Sequence, residues 1–194
     1  MPPKPALRSR QQSRPTRGPP LRYPGLRRLV APPPDPPDSD VPGTVPPASG
    51  LVVHVNGLEA WPGEGPTPAA VVRAARAALA LGGRERPGEL SISFIDDDEI
   101  SRLNQEWLGR DDATDVIAFS LGRRESLLGD VYISAETGFR NAAELGVPPG
   151  EELLRLVIHG TLHVLGHDHP EGAGRESSDM YRLQEELLRS LGSG

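Results

Sequence analysis

The stretch His159-Gly160-Thr161-Leu162-His163-Val164-Leu165-Gly166-His167-Asp168-His169 holds four of the chain's five histidines. His159 and His163 stand four residues apart, a spacing that on a helix puts both rings on one face about one turn apart. Gly166 supplies a stop, since glycine adopts the left-handed conformation that a helix C-terminus asks for. Beyond that stop the chain turns, and His169 can swing back toward the first two. Two imidazoles from a helix and a third from the following loop make a three-nitrogen metal site. One coordination position is left open, as in catalytic rather than structural zinc sites. Counting about 100° per residue from His159, Leu153, Leu154, Val157, Ile158, Val164 and Leu165 fall on the opposite arc, while Glu152 and Arg155 share the arc of the histidines. The helix is thus expected to bury one side and present the histidines on the other.

The spacing is similar to the metzincin pattern H-E-x-x-H-x-x-G-x-x-H. Histidines occupy its first, fifth and eleventh places and glycine its eighth. Its second place, where glutamate serves as general base, is Gly160. The spacing keeps the metal geometry and lacks the peptidase base. A zinc deaminase is disfavoured too, because the chain has no cysteine and no H-x-E motif.

The run HGTLHVLGHDHPEG resembles the signature H-G-x-L-H-L-x-G-[YH]-D-H of the YbeY endoribonucleases, factors of ribosomal RNA maturation. Thr114-Asp115-Val116-Ile117-Ala118-Phe119 resembles that family's T-[DN]-V-L-S-F strand, and Gly129-Asp130-Val131-Tyr132-Ile133-Ser134 its G-D-I-Y-I-S strand. The resemblance covers roughly residues 51–191. It implies one zinc ion per chain, held by His159, His163 and His169. It implies a cytoplasmic hydrolase that cuts single-stranded RNA, processes the 3′ end of small-subunit ribosomal RNA and serves ribosome quality control. Ribosomal proteins or an assembly GTPase are the implied partners. One departure stands out. The family usually has an aromatic followed by Arg and Gly at the end of its second helix, and here the chain reads Trp107-Leu108-Gly109-Arg110. The arginine's role then falls to Arg110, Arg123, Arg124 or a residue elsewhere, unless Arg110 is simply a solvated loop residue. The alternative reading is a ribosome assembly factor with a structural metal and little or no cleavage. Asp168 is a candidate acceptor for a ligand imidazole, or an ordinary turn aspartate. No residue in the sequence is a clear general base, and His167 is not expected to be a ligand.

Composition bounds the rest. Zero cysteines exclude disulfides and thiolate metal sites. No apolar run approaches the eighteen or so residues of a membrane helix. Residues 1–49 hold 15 of the 22 prolines, eight of the 21 Lys and Arg and three of the 27 Asp and Glu. Such a segment buries too little apolar surface to offset its ordering entropy. It is expected to be a disordered Pro/Arg-rich tail, either a low-complexity extension or a basic arm for RNA phosphates. Residues 50–194 then carry 13 Arg and 24 acids, a net charge of −11. An acidic body suits docking on basic ribosomal proteins better than binding isolated RNA.

Within 50–194 the alternation and capping signals predict the order β-α-β-α-β-β-α-α-α. Strands are expected at 51–56, 89–95, 114–121 and 130–134. Helices are expected from Thr67-Pro68 to Leu81, from the acidic cap Asp96-Asp97-Asp98-Glu99 to Gly109, over 135–145, through the histidines, and from about Arg175 to Leu191. Residues 147–150 read as a linker. His54 reads as an outward-facing strand residue. The expected fold is an α+β domain with a small mixed four-stranded sheet, about five helices and a zincin-like three-His site.

Overall fold

The computed structural model describes residues 27–29, 50–61, 63, 65–81, 87–109, 114–122, 126–170 and 174–192. The expected disorder of residues 1–49 falls, apart from 27–29, outside the described residues, and so do Arg110, Arg123 and Arg124. The strands are β1 (Arg27–Leu29), β2 (Leu51–Asn56), β3 (Gly88–Ile95), β4 (Val116–Ser120) and β5 (Leu127–Ser134). The helices are α1 (Pro68–Ala80), α2 (Asp97–Leu108), α3 (Ala135–Leu145), α4 (Pro149–Val164) and α5 (Asp179–Leu191). The α+β order of the body is the expected one. Its four-stranded mixed sheet gains a short edge strand, β1, which three residues of the tail lay parallel to β4.

The sheet order is β1-β4-β5-β3-β2, with only β4 and β5 antiparallel. Alternation sorts its side chains. Leu90, Ile92, Phe94, Val116, Ala118, Val131 and Ile133 face one core, which α1, α4 and α5 cover. Ile117 and Phe119 face the other side, where Ile100 and Leu103 of α2 pack on them. Thr67 caps α1 by accepting from the Ala70 amide at 3.2 Å, with Pro68 at the first helical position. Asp96 caps α2 through the Glu99 amide at 2.8 Å, so the acidic cluster acts as a helix start. Asp97 then reaches across to α3, accepting from Thr137 Oγ1 at 2.8 Å and pairing with Arg140 at 2.7 Å. His54 faces outward on β2 and is exposed, as expected.

Several boundaries differ from the sequence reading. Residues 149–150 are the first turn of α4 rather than linker, because Pro149 suits the first helical position. α5 starts at Asp179, four residues later than expected, where Ser178 caps it through the Tyr181 amide at 3.1 Å. β5 starts at Leu127, since the parallel register with β3 extends from Gly88↔Leu127 to Ile95↔Ser134.

α4 is the central element, lying in a trough shaped by small residues. A Cβ on Gly160 would stand 2.4 Å from Val131 Cγ1, one on Gly129 2.5 Å from Val164 Cγ1, and one on Gly138 2.5 Å from Leu153 Cδ2. α4 therefore sits against β5 and α3 more closely than any larger residue at these places permits. The expectation that one arc of α4 is left open does not hold. Glu152 (0% exposed), His159 (3%) and His163 (1%) are as buried as the leucines opposite. The reason is α5, which packs along that arc and encloses its polar groups.

Candidate metal centre

The C-terminus of α4 builds the site. Gly166 takes φ 94°, and its amide donates to His163 O at 2.9 Å while the His167 amide donates to Leu162 O at 3.0 Å. This paired cap satisfies the last carbonyls of the helix and reverses the chain. The reversal returns His169 to the helix. Asp168 stabilises the turn by accepting the His169 backbone amide at 2.8 Å. It thus serves the backbone, and the reading of Asp168 as an imidazole acceptor is not what the described contacts show.

The rings of His159, His163 and His169 lie together, with centroids 4.6, 5.1 and 5.3 Å apart. Each has an oxygen partner for Nδ1. His159 Nδ1 donates to Gln184 Oε1 at 2.6 Å, His163 Nδ1 to His167 O at 3.1 Å, and His169 Nδ1 to Pro170 O at 3.0 Å. An oxygen only accepts here, so all three hydrogens sit on Nδ1. The Gln184 amide is oriented by its other end, where Nε2 donates to Glu185 Oε1 at 2.9 Å.

All three Nε2 lone pairs consequently point into one space. His163 Nε2 is 2.9 Å and His169 Nε2 3.3 Å from His159 Nε2, and the three possible ligand atoms lie within 4.8 Å of one another. Lone pairs at these separations repel unless a cation stands between them. Nitrogens about 2.0–2.1 Å from a shared ion at tetrahedral angles would stand roughly 3.3–3.4 Å apart. The donor set fits a metal ion, and no other such cluster occurs among the described residues. Protonation is suppressed as well. Burial, and then the neighbouring His163, hold His159 well below the ordinary histidine range. Burial, and then His169, push His163 down to about 4. Neutral imidazole is the form that binds metal.

His167 contributes its backbone carbonyl to the site, through the bond to His163. Gly160, in the place of the metzincin glutamate, faces Val131 and Val116 of the sheet rather than the site. No carboxylate fits there, which explains how the metal geometry occurs without the peptidase base.

Sequence reasoning missed Gln184. It is buried between Met180 and Leu188, each four residues away, on the apolar stripe of α5. A lone polar residue in such a stripe is a signal available from spacing alone. Gln184→Leu removes the acceptor for His159. Metal affinity is expected to fall about 10–100-fold, the usual cost of losing such a partner, read by competition with a chelator. An unchanged affinity would show that Gln184 only packs.

Asp115 was also passed over. It sits at the head of β4, 1% exposed, where Oδ1 accepts from the Val116 amide at 3.1 Å. Its Oδ2 has no hydrogen-bond partner among the described residues. Burial, only partly opposed by the charge of Arg175, pushes its pKa up from 3.8 to about 6. A carboxyl whose pKa is higher in the fold contributes stability that is complete below 3.8 and lost as pH rises through 6. Asp115→Asn abolishes that loss. The variant is expected to be more stable than the wild type at pH 7.5, by up to about 3 kcal/mol, with the gap closing by pH 4. Urea unfolding at both pH values measures it, and a less stable variant at pH 7.5 would refute it.

The model of the family described as Endoribonuclease YbeY matches residues 69–192. The chain belongs to the YbeY endoribonuclease family. It is 41% identical over 110 residues to the Endoribonuclease YbeY of Persephonella marina, covering 54% of this chain and 71% of that protein. It is 38% identical over 151 residues to that of Alkalilimnicola ehrlichii, covering 75% and 90%. A protein named Endoribonuclease YBEY, chloroplastic, from Arabidopsis thaliana is 44% identical over 117 residues, which are 58% of this chain and 20% of that protein. Family membership supports the reading of the chain as a nuclease that hydrolyses RNA. No helix among the described residues is long and apolar enough to cross a membrane.

Proposed function

We propose that this protein is a zinc-dependent endoribonuclease specific for single-stranded RNA, with His159, His163 and His169 as the zinc ligands. The observation that carries the reading is the convergence of three Nε2 lone pairs, each fixed by an oxygen at Nδ1. One zinc per chain leaves a coordination position for a phosphoryl oxygen or for water. Bound there, the ion supplies Lewis acidity toward the phosphate and lowers the pKa of water. The chain's own residues do the rest. Gln184 and the His167 and Pro170 carbonyls orient the rings, and burial keeps the imidazoles neutral. The proposed substrate is ribosomal RNA, with cleavage at the 3′ end of the small-subunit RNA during late maturation and in ribosome quality control. The proposed setting is the cytoplasm. The acidic body, −11 over residues 50–194, favours delivery to RNA through basic ribosomal proteins or an assembly GTPase.

Purified protein should cut a single-stranded RNA, spare the same sequence in a duplex, lose the activity to a chelator and regain it with added zinc. Cleavage that survives complete removal of metal would overturn the reading. One observation favours the second reading, an assembly factor with a structural metal: Leu108 stands where the family usually has arginine. In that case the wild type keeps its zinc and leaves RNA intact.

A further inference from the structure

Three large apolar side chains are exposed among the described residues, and two of them share one place. Trp107, 40% exposed, lies in the last turn of α2, and Leu128, 43% exposed, near the start of β5. α2 starts at the C-terminal end of β5, where Ser134 Oγ donates to Asp97 Oδ1, and runs back over the sheet. The helix rises about 15 Å from Asp97 to Trp107, and β5 spans about 13 Å from Asp130 to Ser134. Trp107 therefore stands level with Asp130. Its ring meets that of Phe119, the partner of Asp130 in β4, edge to face with centroids 5.7 Å apart. Phe119 meets Tyr132 in the same way at 6.0 Å. Alternation puts Leu121 and Leu128 on this face as well. The Leu121 amide donates to Leu128 O at 2.8 Å, so these two stand opposite each other beside Phe119.

Single exposed apolar side chains are ordinary, whereas adjoining ones mark a contact surface. Three features say what this surface takes. Its outermost member is an indole braced by Phe119, which is itself buried, so little side-chain freedom is lost on contact. Asp130 stands on the same face, and its carboxylate repels phosphate. The surface therefore suits a flat apolar group rather than an anion. Its place is the third feature. Gly129, next to Leu128, turns to the other face, where its Cβ would stand 2.5 Å from Val164 Cγ1. Val164 follows the ligand His163. The aromatic surface and the end of α4 that carries the histidines thus flank one end of the sheet.

We infer that Trp107 stacks an unpaired base of the RNA strand whose phosphate reaches the metal, with Leu128 extending the apolar surface beside it. This deepens the proposed function and rests on its reading of single-stranded RNA as the substrate. Stacking on an aromatic ring tolerates any sequence, because every base has a π-face. A duplex keeps those faces inside its own stack, so the ring favours single strands.

The chain has two tryptophans, and Trp61 packs edge to face on Phe139. Trp61→Phe leaves Trp107 as the single indole fluorophore. Titrating the zinc-loaded Trp61→Phe protein with a 2′-O-methylated oligoadenylate should quench that fluorescence saturably, and an abasic strand of equal length should not. Trp107→Leu, made in the wild-type chain, keeps the apolar bulk and loses the ring. It should keep its zinc and its melting temperature and bind labelled oligoadenylate about five- to a hundredfold more weakly, the range for one lost stacked base. Trp107→Phe should recover most of the affinity. Unchanged affinity in Trp107→Leu overturns the inference, and is the result expected if the surface meets a protein instead. Equal quenching by the abasic strand overturns it too, and that measurement decides if Trp107→Leu fails to fold. Failure of the proposed function is separately visible. If the wild type leaves RNA intact yet oligoadenylate quenches Trp107, the cleavage reading falls and this inference stands. If wild type and Trp107→Leu cut RNA with equal KM and equal, chelator-sensitive rates, the reverse holds.

Discussion

His163→Ala loses its metal. Dialysed wild-type protein should retain about one zinc per chain, and the variant close to none. His163 holds the cluster together in two respects. Its Nε2 stands 2.9 Å from that of His159, and its Nδ1 donates to His167 O at 3.1 Å, which ties the returning loop to α4. Removing the ring deletes a ligand and releases the segment that carries His169. The loss in affinity should exceed the roughly 10–100-fold that follows from deleting an outer partner. RNA cleavage should fall with the zinc. His167→Tyr is the matched control, because only the backbone carbonyl of residue 167 bonds to His163 and any side chain leaves that carbonyl in place. Metal analysis of both variants measures the contrast. Full zinc in His163→Ala, or zinc lost from His167→Tyr and kept in His169→Ala, would show that the ligand set is wrong.

Gly160→Glu does not fold. The substitution restores the metzincin letter at the second place of the motif, and its consequence is decided by packing. A Cβ at residue 160 meets Val131 Cγ1 at 2.4 Å and Val116 Cγ1 at 3.1 Å. Both valines are β-branched and held in adjacent strands, so they yield little. Gly160→Ala gains about 1 kcal/mol of helix propensity against an overpacking cost of about 1–3 kcal/mol, and should be mildly destabilised. The glutamate adds a carboxylate with no partner in an apolar layer, which costs several kcal/mol more. Against a total stability of about 5–15 kcal/mol, that removes most of the fold. Circular dichroism should show no cooperative melting transition for Gly160→Glu. A variant melting within a few degrees of the wild type would mean that α4 stands farther from the sheet than the glycine trough indicates.

What the chain determines by itself is local. His159 and His163 share a helical face because they are four apart, and Gly166 ends that helix because it alone accepts φ 94° without strain. The third histidine follows within three residues of the stop, so the cluster could be read before any fold was known. The strands of the body were readable in the same way, because alternation specifies which side chains face the core. Periodicity carries no information about which distant element covers a polar face. α5 encloses the arc holding Glu152, Arg155 and His159, and from it Gln184 reaches His159 across 25 residues of sequence. Asp115 becomes a buried carboxyl under the charge of Arg175, a residue distant in the chain, only in the folded protein. β1 reaches the edge of β4 from a proline-rich tail whose composition suggests no strand. In each case the deciding contact joins residues far apart in the chain, which no local pattern of apolar residues records.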